Sequence, residues 1–299
     1  LRTSVTDRYS HAHLCARDPG AIISDAEPKL LASTQRGQFA RELSHALAEF
    51  KDIHVSVVLA DIKIGTYGSA FRSNFDGKLL GASVKDLKKL SAISSVGTLE
   101  GGIAYLFIRT WSPANGEADI APIVDHILAL RDVRGLIIDV RANGGGDESF
   151  AESVASCVTP DPVSYSTHRF RDPEATGGWT DLHCRAVGPR SDGRGFTGPV
   201  ALLIGPGCCS SNESFVAMIK ATRGHRAFGS HTRGSSGNPR RHDLGNGVFV
   251  VLPSWEDYLV DGTPLEGRGI DPDLEVPWPE APTSDVVLDA AAAWLRARD

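Results

Sequence analysis

Residues 197–234, TGPVALLIGPGCCSSNESFVAMIKATRGHRAFGSHTRG, set the frame into which the rest of the chain must fit. Residues 199–205 are an apolar run between turn formers, which predicts a strand buried on both faces, as in a parallel sheet. Ser210, Ser211 and Asn212 can cap a helix in which Phe215, Met218 and Ile219 recur at helical spacing. Residues 226–229 then start another short strand. A similar unit lies upstream. Residues 102–111 form a strong strand pattern, and 119–130 carry Ile120, Ile123, Val124, Ile127 and Leu128 on one helical face. Residues 135–140 are again apolar, broken only by Asp139, and lead through a glycine loop into a helix over 147–157. This strand–helix–strand–loop–helix order predicts a parallel sheet with right-handed crossovers.

A serine at a strand-to-helix turn has unpaired backbone N–H groups beside it, and the helix N-terminus favours developing negative charge. Ser210 is therefore a candidate acyl-transfer nucleophile as well as a plain helix cap. The loop Gly144–Gly146 matches no phosphate-binding pattern, but it can turn an N–H towards a reacting carbonyl. Residues 38–50 place Phe39, Leu43, Ala46, Leu47 and Phe50 on one helical face. They end in Lys51-Asp52-Ile53-His54 before a β-rich run over 55–60, so His54 sits at a helix-to-strand junction. Residues 1–28 read as an arm or loop, 61–100 as short strands and turns, and 161–194 as a polar, irregular insert suited to a lid. Strand 247–253, the turn-rich stretch 261–273 and an alanine-rich helix over 284–298 close the chain.

The 31 basic and 37 acidic residues leave a net charge of −6, which gives no basic face and excludes nucleic acid as an expected partner. No apolar run reaches the length of a membrane span. The chain starts at Leu1 without a hydrophobic leader, and a processed or trimmed chain is the expectation. Cys15, Cys157, Cys184, Cys208 and Cys209 are irregularly spaced and odd in number, which favours a reducing, cytoplasmic setting, with Cys157–Cys184 as the one pairing to consider. His11, His13 and Cys15 have ligand-like spacing but lack a further pair, so no metal site is expected.

Taken together and in order, these segments resemble the S41 peptidases, the clan of the C-terminal processing proteases, the tricorn protease core and the interphotoreceptor retinoid-binding modules. The carriers are Lys51-Asp52-Ile53-His54, the strand from Ile103, Ile137–Gly146 (IIDVRANGGG), Cys209-Ser210-Ser211-Asn212-Glu213, the Gly229…Gly234 turn and Leu265–Asp273 (LEGRGIDPD). The resemblance implies an α/β fold: a mixed, mostly parallel sheet flanked by helices, with a crotonase-like ββα core and a small helical N-terminal subdomain. Residues 1–60 would be a cap contributing the base histidine, and 61–299 the catalytic core with the insert 161–194. Residues 55–100 are too few for the family's PDZ domain.

The same resemblance implies a serine peptidase acting through an acyl-enzyme on a peptide or protein. Ser210, three residues before Glu213, would be the nucleophile. The processing proteases carry a lysine just after the Gly229…Gly234 turn; here Ser235 stands there, so no Ser–Lys dyad is expected. The tricorn-like branch points instead to His54 as base and Glu266 on its other ring nitrogen, directly or through a bridging hydroxyl. The accessory serine of that branch is matched by Ile53, so its hydroxyl is missing or comes from elsewhere. Ser211 and Gly146 N–H groups would form the oxyanion hole, with no metal or organic cofactor required. Asp139 and Arg141 would pin the glycine loop, and self-association is left open. A non-catalytic ligand-binding module, or an esterase or acyl transferase using the same residues, are the alternatives.

Overall fold

The computed structural model describes residues 1–298. The chain opens with helices α1 (Arg2–Arg8), α2 (Pro19–Leu31) and α3 (Arg36–Leu47), then strands β1 (Ser56–Leu59) and β2 (Ile62–Gly65). Helix α4 (Gly77–Ser83) precedes β3 (Lys85–Lys89), β4 (Ser94–Leu99) and β5 (Ile103–Ile108). Helix α5 (Glu117–Ala129), β6 (Gly135–Asp139), α6 (Glu148–Ala155), β7 (Val163–Phe170) and β8 (His183–Val187) follow. The remainder is β9 (Val200–Ile204), α7 (Ser211–Ala221), β10 (Arg226–Gly229), β11 (Arg240–Asp243), β12 (Val248–Leu252), β13 (Trp255–Leu259), β14 (Leu274–Glu275) and α8 (Val286–Arg296).

These elements gather into two compact units. One comprises Leu1–Ala70, Thr167–His183 and Ser235–Tyr258; the other comprises Phe71–Ser166, Cys184–Gly234 and Leu259–Asp299. The second unit holds a mixed sheet in the order β14-β10-β9-β6-β5-β4-β3, parallel from β14 to β5 and antiparallel beyond. Side chains alternate across a strand. Leu106, Ile138, Leu202 and Ile204 thus pack with Ile120, Ile127, Val154 and Phe215 from α5, α6 and α7. Tyr105, Ile137, Ala201 and Leu203 pack on the other face with Val287, Leu288, Ala291 and Leu295 of α8. Both faces are covered, which is why β9, and β6 up to Asp139, read as continuous apolar runs. The edge strand β3 is exposed along its length and carries Lys85, Lys88 and Lys89, charges that discourage further strand pairing.

The end of β6 is locked by a buried ion cluster within this unit. Arg141 NH2 bonds Asp139 Oδ2 and Asp285 Oδ2, each at 2.7 Å, and all three side chains have no exposure. Its NH1 reaches the Asn74 carbonyl at 2.8 Å, and Tyr105 donates to Asp139 at 2.9 Å. One guanidinium thus ties β6, the loop before α4 and the N-cap of α8 to the start of the glycine loop.

The first unit is not helical alone. Its antiparallel sheet runs β11-β12-β1-β2, with Ser56 opposite Val251 and Leu59 opposite Val248. Leu43, Leu47, Val57, Val250 and Leu252 share its core with Tyr9, Ile22 and Ile23. Because β1 takes its partner from late in the chain, this unit runs past residue 60 and recruits two later segments. Residues 1–28, which read as a loop, form α1 and most of α2. The start of α2 is an Asp18 cap accepting the Ala21 N–H at 2.7 Å, followed by Pro19. Within 161–194, β7 and β8 are paired strands in a sheet ordered β13-β7-β8. No bridge joins Cys157 to Cys184: their thiols bond the Ser153 carbonyl and Ser164 Oγ.

Candidate active site

Strand β9 ends at Ile204, and the chain turns through Gly205–Cys209 into α7. At the turn Ser210 has φ 59° and ψ −136°, a conformation that L residues rarely adopt and that costs on the order of 1–3 kcal/mol. Its surroundings hold it there. The Ser210 N–H donates to Glu213 Oε2 at 3.2 Å. Gly145, at φ 100°, passes so close that a Cβ on it would lie 2.7 Å from the Cys209 carbonyl oxygen and 2.8 Å from Ser210 Cβ. Only glycine fits there. Asn212, fully buried, donates to the Val140 and Asn143 carbonyls at 3.2 and 3.0 Å and accepts from Trp111 Nε1 at 3.0 Å. The head of α7 is thereby bolted to the glycine loop.

Glu213 does more than mark the motif. Its buried carboxylate also accepts from Thr232 Oγ1 at 2.5 Å and from Gly234 N–H at 2.7 Å. Thr232 Oγ1 in turn accepts the Ile270 N–H at 2.8 Å, and the Gly267 N–H donates to the Gly234 carbonyl at 2.7 Å. Three segments that carry sequence motifs (the serine turn, the Gly229…Gly234 turn and the loop bearing Glu266) are therefore cross-linked through one carboxylate. Glu266 itself is half-buried in that loop.

Ser211 opens α7, and among the described residues its N–H has no acceptor within the chain. Gly146 is different. Its N–H donates to Ser211 Oγ at 2.7 Å, and that hydroxyl donates to the Gly146 carbonyl at 2.6 Å. The Gly145 N–H is held by Asn143 Oδ1 at 2.9 Å. Of the two expected oxyanion donors, one is open and the other is engaged by a neighbouring hydroxyl.

His54 belongs to the first unit. Its N–H donates to Asp52 Oδ1 at 2.8 Å, a tight turn that fixes the main chain. Its Nδ1 lies 2.9 Å from Ser235 Oγ. Burial lowers the pKa of His54 to about 4 against the opposing pull of Asp52, so the ring is neutral near pH 7. Among the described residues Nε2 takes no hydrogen bond. The hydroxyl on this ring nitrogen therefore comes from Ser235, not from a residue beside His54. No signal in the sequence assigned Ser235 this place, since the contact spans 181 positions. His11, His13 and Cys15 diverge: His11 faces Asp52, His13 faces Glu256, and Cys15 contacts Tyr9.

Comparison with known proteins identifies the family. The profile of Peptidase family S41 matches residues 102–276, more than half of the chain. The chain belongs to peptidase family S41. It is 22% identical over 268 residues to the "Probable CtpA-like serine protease" of Staphylococcus epidermidis, covering 88% of this chain and 51% of that protein. It thus spans about half the length of the curated relatives it matches. A crystal structure of a Parabacteroides merdae protein superposes with a TM-score of 0.81 at 21% identity, covering 100% of this chain and 95% of the other. Mature CPAF superposes at 0.65 with 13% identity, over 99% and 94% of the two chains. These likenesses establish the S41 fold. Among the described residues no helix is long and apolar enough to cross a membrane.

Proposed function

We propose that this S41 member is a serine peptidase in which Ser210 attacks the peptide carbonyl and His54 takes its proton. The observation that carries the reading is the left-handed conformation of Ser210 at the head of α7. A strained strand-to-helix turn presents a serine side chain and the following N–H groups to the same point. A ligand-binding scaffold gains nothing from that strain.

The base follows from the tautomer. A serine hydroxyl is a weak nucleophile until a neighbouring group accepts its proton. With Nδ1–H donating to Ser235 Oγ, the His54 lone pair is on Nε2, the nitrogen available to Ser210. As the tetrahedral intermediate forms, the ring becomes an imidazolium. Ser235 then serves as the bridging hydroxyl, and Glu266 balances the positive charge through it. The oxyanion forms at the Ser211 N–H, and the Gly146 N–H joins once the Ser211 hydroxyl rotates away from it. Collapse expels the amine with the proton from His54, leaving an acyl group on Ser210 Oγ that water removes by the same steps in reverse. The unit that begins with residues 1–70 supplies this base to the core that carries Ser210, and 161–194 borders the substrate as a selectivity element. Substrates are peptides or proteins, and separate Cys157 and Cys184 thiols fit a reducing compartment such as the cytoplasm.

The reading is tested by hydrolysis of an unfolded protein substrate. Activity should vanish in Ser210→Ala with the fold intact by circular dichroism. Wild-type rates in that variant would discard the assignment.

A further inference from the structure

The segment ahead of α2 buries a group that this chemistry leaves unused. His11 is 1% exposed, and both of its ring nitrogens face acceptors. Nδ1 lies 2.9 Å from Asp52 Oδ2, and Nε2 lies 3.2 Å from the Trp255 carbonyl oxygen. An ionised carboxylate and a carbonyl only accept hydrogen bonds, so each offers a partner to a ring N–H.

We propose that His11 is a positioning residue: a buried cation that clamps together the two segments which set the base, the turn bearing His54 and the turn bearing Ser235. The proposal rests on the peptidase reading for its consequence, and the hydrogen bonds it uses all lie within one unit. On the first side, Asp52 accepts from His11 and from Tyr9 OH at 3.1 Å through Oδ2, while its Oδ1 holds the His54 N–H. On the second side, the Trp255 carbonyl belongs to the segment that holds Ser236 and Gly237, the residues directly after Ser235. The Ser254 N–H donates to the Gly237 carbonyl at 2.8 Å, and Trp255 Nε1 donates to Ser236 Oγ at 3.2 Å. The Ser10 N–H adds a bond to the Pro253 carbonyl at 3.2 Å. Both turns are therefore referred to one imidazolium. Removing it leaves Asp52 a buried carboxylate without its cation, and such a group relaxes towards other donors or water. The His54 N–H and the Ser235 hydroxyl would then drift relative to each other, and a misplacement of about 1 Å can cost on the order of a hundredfold in rate.

The test is nitrogen-15 NMR of the histidine rings of the full chain at pH 7, with His11 and His54 assigned through His11→Gln and His54→Gln. In the wild type, His11 should show both nitrogens protonated and His54 a single neutral form with its proton on Nδ1. In His11→Gln, the His54 signals should spread over both tautomers. Reaction of Ser210 with a fluorophosphonate should slow about a hundredfold, the loss falling on kinact rather than on KI. The isosteric Asp52→Asn should give the same His54 signature and stands in if His11→Gln does not fold. A neutral His11 in the wild type, or an unchanged His54 tautomer in both variants, overturns the proposal. A wild type that takes no label defeats the peptidase reading instead, while the His54 tautomer in the variants still decides the clamp.

Discussion

At the scale of single residues, His54 carries the sharpest expectation. Burial lowers it to about 4 while Asp52 pulls the other way, whereas in the unfolded chain a histidine titrates near 6.5. The folded group thus prefers to be neutral. Its share of stability is complete above pH ~6.5 and is lost as pH falls from ~6.5 towards about 4, because the unfolded chain binds the proton first. His126, His225 and His242 are also lowered by burial and act in the same sense, so the comparison needs a variant. Urea midpoints should fall less steeply between pH 7 and 4.5 in His54→Gln than in the wild type. The rate of Ser210 acylation should likewise hold down to about pH 4; an acid limb near 6.5 would mean a solvated, ordinary imidazole. Ser210, His54 and Glu266 were candidates through the resemblance to S41 peptidases, whose motifs fall in order along the chain. Ser235 was not, because its role is defined only by the ring it meets from a distant segment, and at its own position it reads as a lost lysine.

Among the elements, the head of α7 has the most to lose. Glu213 accepts from Ser210 N–H, Thr232 Oγ1 and Gly234 N–H, so replacing one carboxylate oxygen by an NH2 group sets donor against donor. Glu213→Gln should cost about 1–3 kcal/mol in urea unfolding, with a matching fall in acylation of Ser210, which loses its anchor. A variant with wild-type stability and reactivity would show that the strained turn is held by other contacts. The strands β5, β6 and β9 and helices α5 and α7 were legible because burial on both sheet faces leaves near-continuous apolar runs and one-sided helices leave a 3.6-residue period. Strands β7 and β8 were not: half-buried and polar, with Arg169 and Arg171 stacked on Trp179, they show no clean alternation. Helix α1 buries only Val5, too little to mark a face, although the Asp18-Pro19 start of α2 was a usable signal.

For the molecule as a whole, stability turns on long-range ties that no local pattern shows. Arg141 neutralises Asp139 and Asp285 across 144 positions with no exposure to water. Arg141→Met should leave two buried carboxylates facing each other and destabilise the fold by about 3–5 kcal/mol in denaturant; a loss under ~1 kcal/mol would mean that water or a shared proton replaces the guanidinium. The pairing of Ser56 with Val251 is equally invisible in sequence, since strand register is fixed by partners and not by the strand itself. That pairing is why the unit bearing His54 is assembled from three stretches of chain and not from residues 1–60. The central claim, a serine activated by a neutral histidine, is met most directly by mapping the adduct of a fluorophosphonate by mass spectrometry in wild type, Ser210→Ala and His54→Ala. The account predicts a single adduct on Ser210 in the wild type and none in either variant, whereas an adduct on Cys209 or Ser211, or labelling that survives His54→Ala, would contradict it.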